Sequence, residues 1–266
     1  MEPIVAGLRA AWAGVFELVA DPSGDDWQRS TPCHPWTVHD LVAHLGHLEG
    51  TLLHGFPQPD PPDGWSFEGE GLHRLTNAGV AARRPWSHTR VVDETRRAGQ
   101  ATLELLEGLD EQGWQREIQV EIFGRLTMGQ VMELRLGDIY VHLLDLRTAL
   151  GRPISAVDEP EAVAPLVARA VRLAGWAAVK QAGLPEGTRV LLELSGPGAT
   201  SFDVTVEGGR GRVGRPQGRP DAAVSGPGLA FVLAAGGRPS MAQAAGGLRV
   251  EGDAAHRLLE RFGLFG

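Results

Sequence analysis

Residues 30–50 read STPCHPWTVHDLVAHLGHLEG, and the folding of the second half of that stretch decides how the rest of the chain is read. Val38, Leu41, Val42, Leu45, Leu48 and Leu52 recur at intervals of three and four, the period that gathers apolar side chains on one face of a helix. Thr37 stands just before them, where its hydroxyl can accept a hydrogen bond from a free backbone N–H, so it is read as the N-cap. Gly55 and Pro57 stop the pattern. The residues before Thr37 hold two prolines and are expected to form an ordered loop. His39, His44 and His47 all fall within the one predicted helix.

Three more long helices are expected around it. Ile4, Leu8, Trp12, Val15, Phe16 and Val19 give the first the same spacing. Another runs from about Ser87 to Leu109, preceded by a short helix over about 71–83 and a loop over 57–70 rich in Pro, Asp and Gly. The segment WQREIQVEIFGRL, 114–126, alternates weakly and suggests a small hairpin or an extended connection. Thr127 and Gln130 then form a capping-box pair, each side chain placed to satisfy the other's backbone N–H, at the start of a helix that runs to about Gly151. Four such helices joined by loops predict an antiparallel bundle over residues 1–152.

After GRPISAVDEP the texture changes. A helix from about Glu161 to Ala182 leads into the β-patterned runs TRVLLELSG and SFDVTVEGG, then DAAVSG, a helical piece at 227–235, LRVEG and a last helix from Asp253. Residues 160–266 therefore read as a smaller α+β lobe, which makes the whole chain α+β and mainly α.

Composition narrows the function. At 266 residues, 42% hydrophobic and 22% charged, the chain can bury two cores of ordinary size and lacks the signature of disorder. A formal charge of −8 repels a phosphate backbone, so nucleic acid is not an expected partner. No unbroken apolar run approaches the length of a membrane span, and the acidic N-terminus does not resemble a secretion signal; a cytoplasmic location with no membrane partner is expected. Cys33 is the single cysteine, which excludes an intrachain disulfide and a multi-cysteine zinc cluster.

One helical spacing carries chemistry. In DIYVHLLD, Asp138 and His142 lie four residues apart and leave the same helix face one turn from each other. An antiparallel neighbour would bring His44 opposite that turn, giving two nitrogens and one carboxylate oxygen, the donor set of an open, catalytic metal site. The spacing alone also fits the blander reading, a surface acid beside a hydrogen-bonded core histidine.

Residues 31–45, TPCHPWTVHDLVAHL, are similar to the signature T-P-C-x-x-W-T-V-x-D-L-V-A-H-L of the mycothiol-dependent maleylpyruvate isomerase family. DIYVHLLD follows that family's second motif, E-x-x-x-H-x-x-D, with Asp138 in place of the usual Glu. The tail from DAAVSG to the last helix resembles the sterol-carrier-like lobe of many members. The resemblance implies a DinB-like four-helix metal bundle, with His44, Asp138 and His142 as ligands of a divalent metal, zinc by preference. It also implies mycothiol as thiol cosubstrate and a small-molecule electrophile as the second substrate. Asp138, one methylene shorter than Glu, must draw its helix closer or bind with altered geometry.

Other residues receive expectations of their own. Asp145 could orient a ligand histidine or cap a neighbouring backbone group. His47 is read as an accessory polar residue near the mouth of the site, and His34 and His39 as solvent-facing. Cys33 and Trp36 are read as packing under the loop. Arg249 and Arg238, in GGLRVEG and GGRPS, are candidates to fork onto a substrate carboxylate across a cleft from the bundle. Three activities fit these features: a thiol-dependent isomerase or S-transferase, a hydrolase using metal-bound water, and a non-catalytic binder of small ligands.

Overall fold

The computed structural model describes residues 2–20, 23–68, 70–120, 124–155 and 159–264. The side chain of Leu52 and the turn 121–123 of the expected hairpin lie outside the described residues. The fold is α+β and mainly α, and it separates into two compact units, Met1–Pro153 and Ile154–Gly266.

The first unit is built on α1 (Glu2–Leu18), α2 (Val38–His54), α4 (His88–Glu107) and α6 (Met128–Ala149), with α3 (Gly71–Arg83) and a short α5 (Glu111–Gln115) in the connections. The expected caps are present. Asp40 N–H donates to Thr37 Oγ1 at 3.3 Å and Thr37 N–H returns the bond to the Asp40 carboxylate at 3.4 Å, while Gly55 closes the helix in the left-handed conformation at φ 61°. Thr127 and Gln130 make the same reciprocal pair at the head of α6, at 2.9 and 3.2 Å. Strands β1 (Glu117–Val120) and β2 (Gly124–Thr127) pair as the antiparallel hairpin that leads into it.

Not every neighbour in the bundle is antiparallel. Thr95 Oγ1 of α4 donates to the Val42 carbonyl of α2 at 3.0 Å and His54 meets Thr102 at 2.8 Å, so residue numbers rise together and α2 and α4 run parallel. Against α1, by contrast, α4 is antiparallel, since Arg9 pairs with Glu107 and Trp12 lies on Gly99. The residues between α2 and α4 are long enough to cross the bundle and return the chain to the same end, which a short turn could not do. On that crossover the buried Arg83 donates to both Glu94 oxygens, at 2.5 and 2.8 Å, tying α3 to α4.

Helix α2 is buried on every side from Val38 to Gly50, which explains why polar side chains in it matter. It packs against α4, α3 and α6, and Glu49 and His44 meet α6. His39 was expected in solvent; it is 5% exposed, with Nδ1 2.8 Å from His88 Nδ1 and Nε2 3.2 Å from the Arg83 carbonyl. His34 is exposed as expected.

The second unit opens with α7 (Pro160–Trp176), prolonged by a π-helical turn over Ala177–Gln181. By length and composition this 22-residue stretch matches a membrane span, yet half of its most apolar window is buried, as in a core helix. Strands β3 (Arg189–Ser195), β4 (Thr200–Glu207), β5 (Arg210–Gly214), β6 (Ala222–Pro227) and β7 (Arg249–Glu251) form one sheet in the order β5-β4-β3-β6-β7, in which β3 and β6 are the parallel pair. Val190, Leu192, Leu194, Phe202, Val204, Val206 and Val224 line its buried face, against α7, α8 (Gly228–Ala235) and α10 (Asp253–Arg261); α9 (Pro239–Ala244) packs on α8. The sequence reading omits β5, an exposed edge strand of Arg and Gly with no apolar alternation.

The close approach of α2 and α4 generates a prediction. A Cβ on Gly46 would strike the Thr95 side chain and come within 2.8 Å of its Cα, in the backbone of α4, whereas one on Gly24 meets nothing. Gly46→Ala is expected to destabilise the protein by about 1–3 kcal/mol in urea denaturation while Gly24→Ala leaves it unchanged.

Candidate metal centre

Helices α2 and α6 are antiparallel neighbours, and that register places His44 opposite the Asp138–His142 turn. His44 Nε2 lies 3.5 Å from Asp138 Oδ2, and His142 Nε2 lies 3.4 Å from Asp138 Oδ1. One atom from each of the three residues falls within 4.8 Å of the others. The imidazole rings of His44 and His142 stand nearly perpendicular, with centroids 4.9 Å apart. For four ligands with bonds of about 2.1 Å, the ligand-to-ligand edge is about 3.4 Å, so the two nitrogen-to-oxygen spacings suit a bound cation better than a direct hydrogen bond. His44 agrees with that: both of its ring nitrogens are buried and neither makes a hydrogen bond among the described residues, even though the carboxylate is near. A buried imidazole left unpaired in this way calls for a partner, and a zinc ion fits the donor set.

His142 is held from its other side. Its Nδ1 is 2.9 Å from Asp145 Oδ2, and Asp145 is fully buried. A carboxylate there fixes Nδ1 as the protonated nitrogen and leaves the Nε2 lone pair facing Asp138. Of the two roles open to Asp145, orienting the ligand histidine is the one the geometry has.

Cys33, read as packing, is more than that. Its thiol donates to the same Asp145 Oδ2 at 3.0 Å and lies 3.6 Å from His142 Nδ1. Cys33, His142 and Asp145 thus form a second group of donor atoms within 4.8 Å, sharing His142 with the first. The S–O and N–O spacings there are those of direct hydrogen bonds, closer than ligands around one ion would sit. Trp36 covers His44, ring centroids 4.9 Å apart, and its indole N–H reaches Asn77 Oδ1 at 3.3 Å.

Two residues that sequence reasoning missed complete the centre. Arg135, one turn before Asp138 on α6, donates Nη1–H to Asp138 Oδ2 at 2.8 Å and Nε–H to Glu49 Oε2 of α2 at 2.7 Å. Arg135 is 4% exposed and Glu49 fully buried. The available signal was their setting, charged residues inside stretches apolar enough to be interior.

Burial and charge shift the site's protonation. Burial pushes the His44 pKa down, against the pull of Asp138. Burial acts on His142 in the same sense, yet Asp138, Asp145 and the Cys33 thiol outweigh it and hold its pKa well above 6.5. Asp138 stays well below the usual carboxylate range because Arg135 and the two histidines overcome its desolvation.

The remaining expected residues have surroundings of their own. His47 is not near a mouth: it is fully buried, its ring packed where a Cβ on Gly79 of α3 would sit, with Nδ1 3.1 Å from Thr51 Oγ1. Burial and the Arg83 charge take its pKa down to about 3, so the ring stays neutral. The cause is α2 itself, enclosed on all sides one turn past His44. Arg249 and Arg238 belong to the second unit, where Arg249 is exposed and paired with Glu251 at 2.5 Å and Arg238 donates to the Gly236 carbonyl at 3.1 Å.

Residues 8–147 match the family model described as the mycothiol maleylpyruvate isomerase N-terminal domain, and residues 161–258 match that of the corresponding C-terminal domain. A solved structure described as the mycothiol-dependent maleylpyruvate isomerase superposes with a TM-score of 0.60 at 17% identity, covering 94% of this chain and 92% of that one. A variant of that enzyme with one histidine replaced by alanine gives a TM-score of 0.60 at 16% identity and the same coverage. No curated protein sequence matches the chain.

Two outcomes are expected. Removing the acceptor in Asp145→Ala should weaken zinc binding about 10–100-fold in a chelator competition at mildly alkaline pH, with helicity unchanged in circular dichroism. In metal-free protein, the raised pKa of His142 contributes stability that is complete below its ordinary value of 6.5 and is lost as pH rises through the raised value. With chelator present, the urea midpoint should therefore fall as pH rises above about 6.5, and His142→Gln should flatten that decline.

Proposed function

The chain belongs to the mycothiol maleylpyruvate isomerase family through both of its domains, and on that premise we propose that it is a zinc-dependent enzyme using a low-molecular-weight thiol, mycothiol, to transform an electrophilic small molecule. The observation that carries the proposal is the pair of imidazole Nε2 atoms from two helices facing one carboxylate at 3.4 and 3.5 Å. His44, Asp138 and His142 would hold the metal, with a position left for the thiol. Zinc bound there supplies Lewis acidity, which lowers the pKa of a thiol it carries toward neutrality.

The chain's own residues prepare that position. Asp145 fixes the tautomer of His142, and Arg135 restrains the Asp138 carboxylate. Trp36 shields the face of His44 from water. The thiolate adds to one carbon of a double bond conjugated to a carbonyl, and the displaced electron pair moves to the carbonyl oxygen as an enolate. The former double bond is now single and rotates. Collapse of the enolate re-forms it in the trans geometry and expels the thiolate, so no oxidant or reductant is consumed. A carboxylate on the substrate would need a cation, and Arg249 and Arg238 are proposed for that role. A cytoplasmic location suits a thiol that must stay reduced.

The test uses protein purified without chelator. It should carry about one zinc per chain, and with mycothiol it should convert maleylpyruvate to the trans isomer, followed by proton NMR. His44→Ala is expected to lose both metal and turnover while keeping its helicity. Water-cleaved products formed without any thiol would instead identify a hydrolase, and stoichiometric zinc in His44→Ala would refute the ligand assignment.

A further inference from the structure

We propose that Arg135, anchored by Glu49, is the positioning residue for the Asp138 carboxylate, holding one of its oxygens and leaving the other for the metal. The inference rests on the metal reading above and goes beyond it in assigning what controls the ligand carboxylate.

Three observations converge. The guanidinium spans two helices: Nε–H is bound to Glu49 Oε2 of α2 at 2.7 Å and Nη1–H to Asp138 Oδ2 at 2.8 Å. Both ends of the Arg135–Glu49 pair are interior, at 4% and 0% side-chain exposure. Such a pair adds little net stability, because desolvation offsets most of its attraction, so its presence in the core asks for another reason. Finally, the two oxygens of Asp138 are treated unequally. Oδ2, which faces His44 Nε2 at 3.5 Å, also carries the arginine bond, whereas Oδ1 faces His142 Nε2 at 3.4 Å with no arginine on it.

A carboxylate on a short side chain has two ways to bind a cation, through one oxygen or through both. Arginine's planar fork, fixed at its far end by Glu49, occupies a lone pair of Oδ2 and so favours ligation through Oδ1. One-oxygen ligation leaves room for the small coordination number that zinc prefers; two-oxygen ligation would raise it and suit larger, oxygen-seeking cations.

The experiment loads the full chain with cobalt(II), whose visible bands are intense when four-coordinate and weak when the coordination number rises. Wild-type protein is expected to bind cobalt with intense bands. Arg135→Gln should bind about tenfold or more weakly with weak bands, and Arg135→Lys should fall between, since a point charge cannot fork onto both carboxylates. Because Arg135→Gln strands the Glu49 charge in the core, the double variant Glu49→Met with Arg135→Met, which removes both charges, provides a folded comparison and should show the same weakened, altered spectrum. Variants with wild-type affinity and bands would overturn the assignment of Arg135 and leave the metal reading intact. A wild-type protein that takes up no cobalt would overturn both.

Discussion

A carboxylate shared between two imidazoles and a buried guanidinium is the interaction on which the first unit depends. Asp138 faces His44, His142 and Arg135, and Arg135 in turn holds Glu49. Each of these groups is costly to remove from water alone, and the charges of Asp138, Arg135 and Glu49 compensate one another. The contacts also set the register of α2 against α6. Sliding one helix a turn past the other would separate His44 from Asp138 and Glu49 from Arg135 together, leaving uncompensated charge in the core, so packing and chemistry specify the same alignment.

The same reasoning explains what could be read from the sequence. Thr37, Thr127 and Gln130 act locally, within one turn of the groups they cap, and a local rule finds them. His44, Asp138 and His142 were reachable because two share a helix turn and the third lies in a motif similar to a known family's. Arg135, Glu49 and Cys33 escaped because their partners lie far along the chain: Cys33 meets Asp145 only after α6 has been laid beside the 30–37 loop. His39 and His47 were misplaced for one reason. A single apolar stripe implies a wet opposite face, and α2 has none, since α3 and α6 cover it. The parallel course of α2 and α4 was likewise hidden in the long, proline-rich connection between them.

His142 sits between two dissimilar settings. Its Nε2 looks toward His44 and Asp138, while its Nδ1 looks toward Asp145 and Cys33. On the Nδ1 side, hydrogen bonds of 2.9 and 3.0 Å converge on a fully buried carboxylate. The Nε2 side is open, with a bare imidazole on α2 and approaches too long for hydrogen bonds of good geometry. That asymmetry is the ground for placing the proposed cation on the His44 side of the ring.

An anomalous diffraction map at the zinc edge, from crystals grown with zinc, measures this most directly. The account predicts one strong peak at about 2.1 Å from the Nε2 atoms of His44 and His142, with an Asp138 oxygen at a similar distance. A peak instead between Cys33, Asp145 and the Nδ1 atom of His142, or zinc-soaked crystals with no peak on α2, would contradict it.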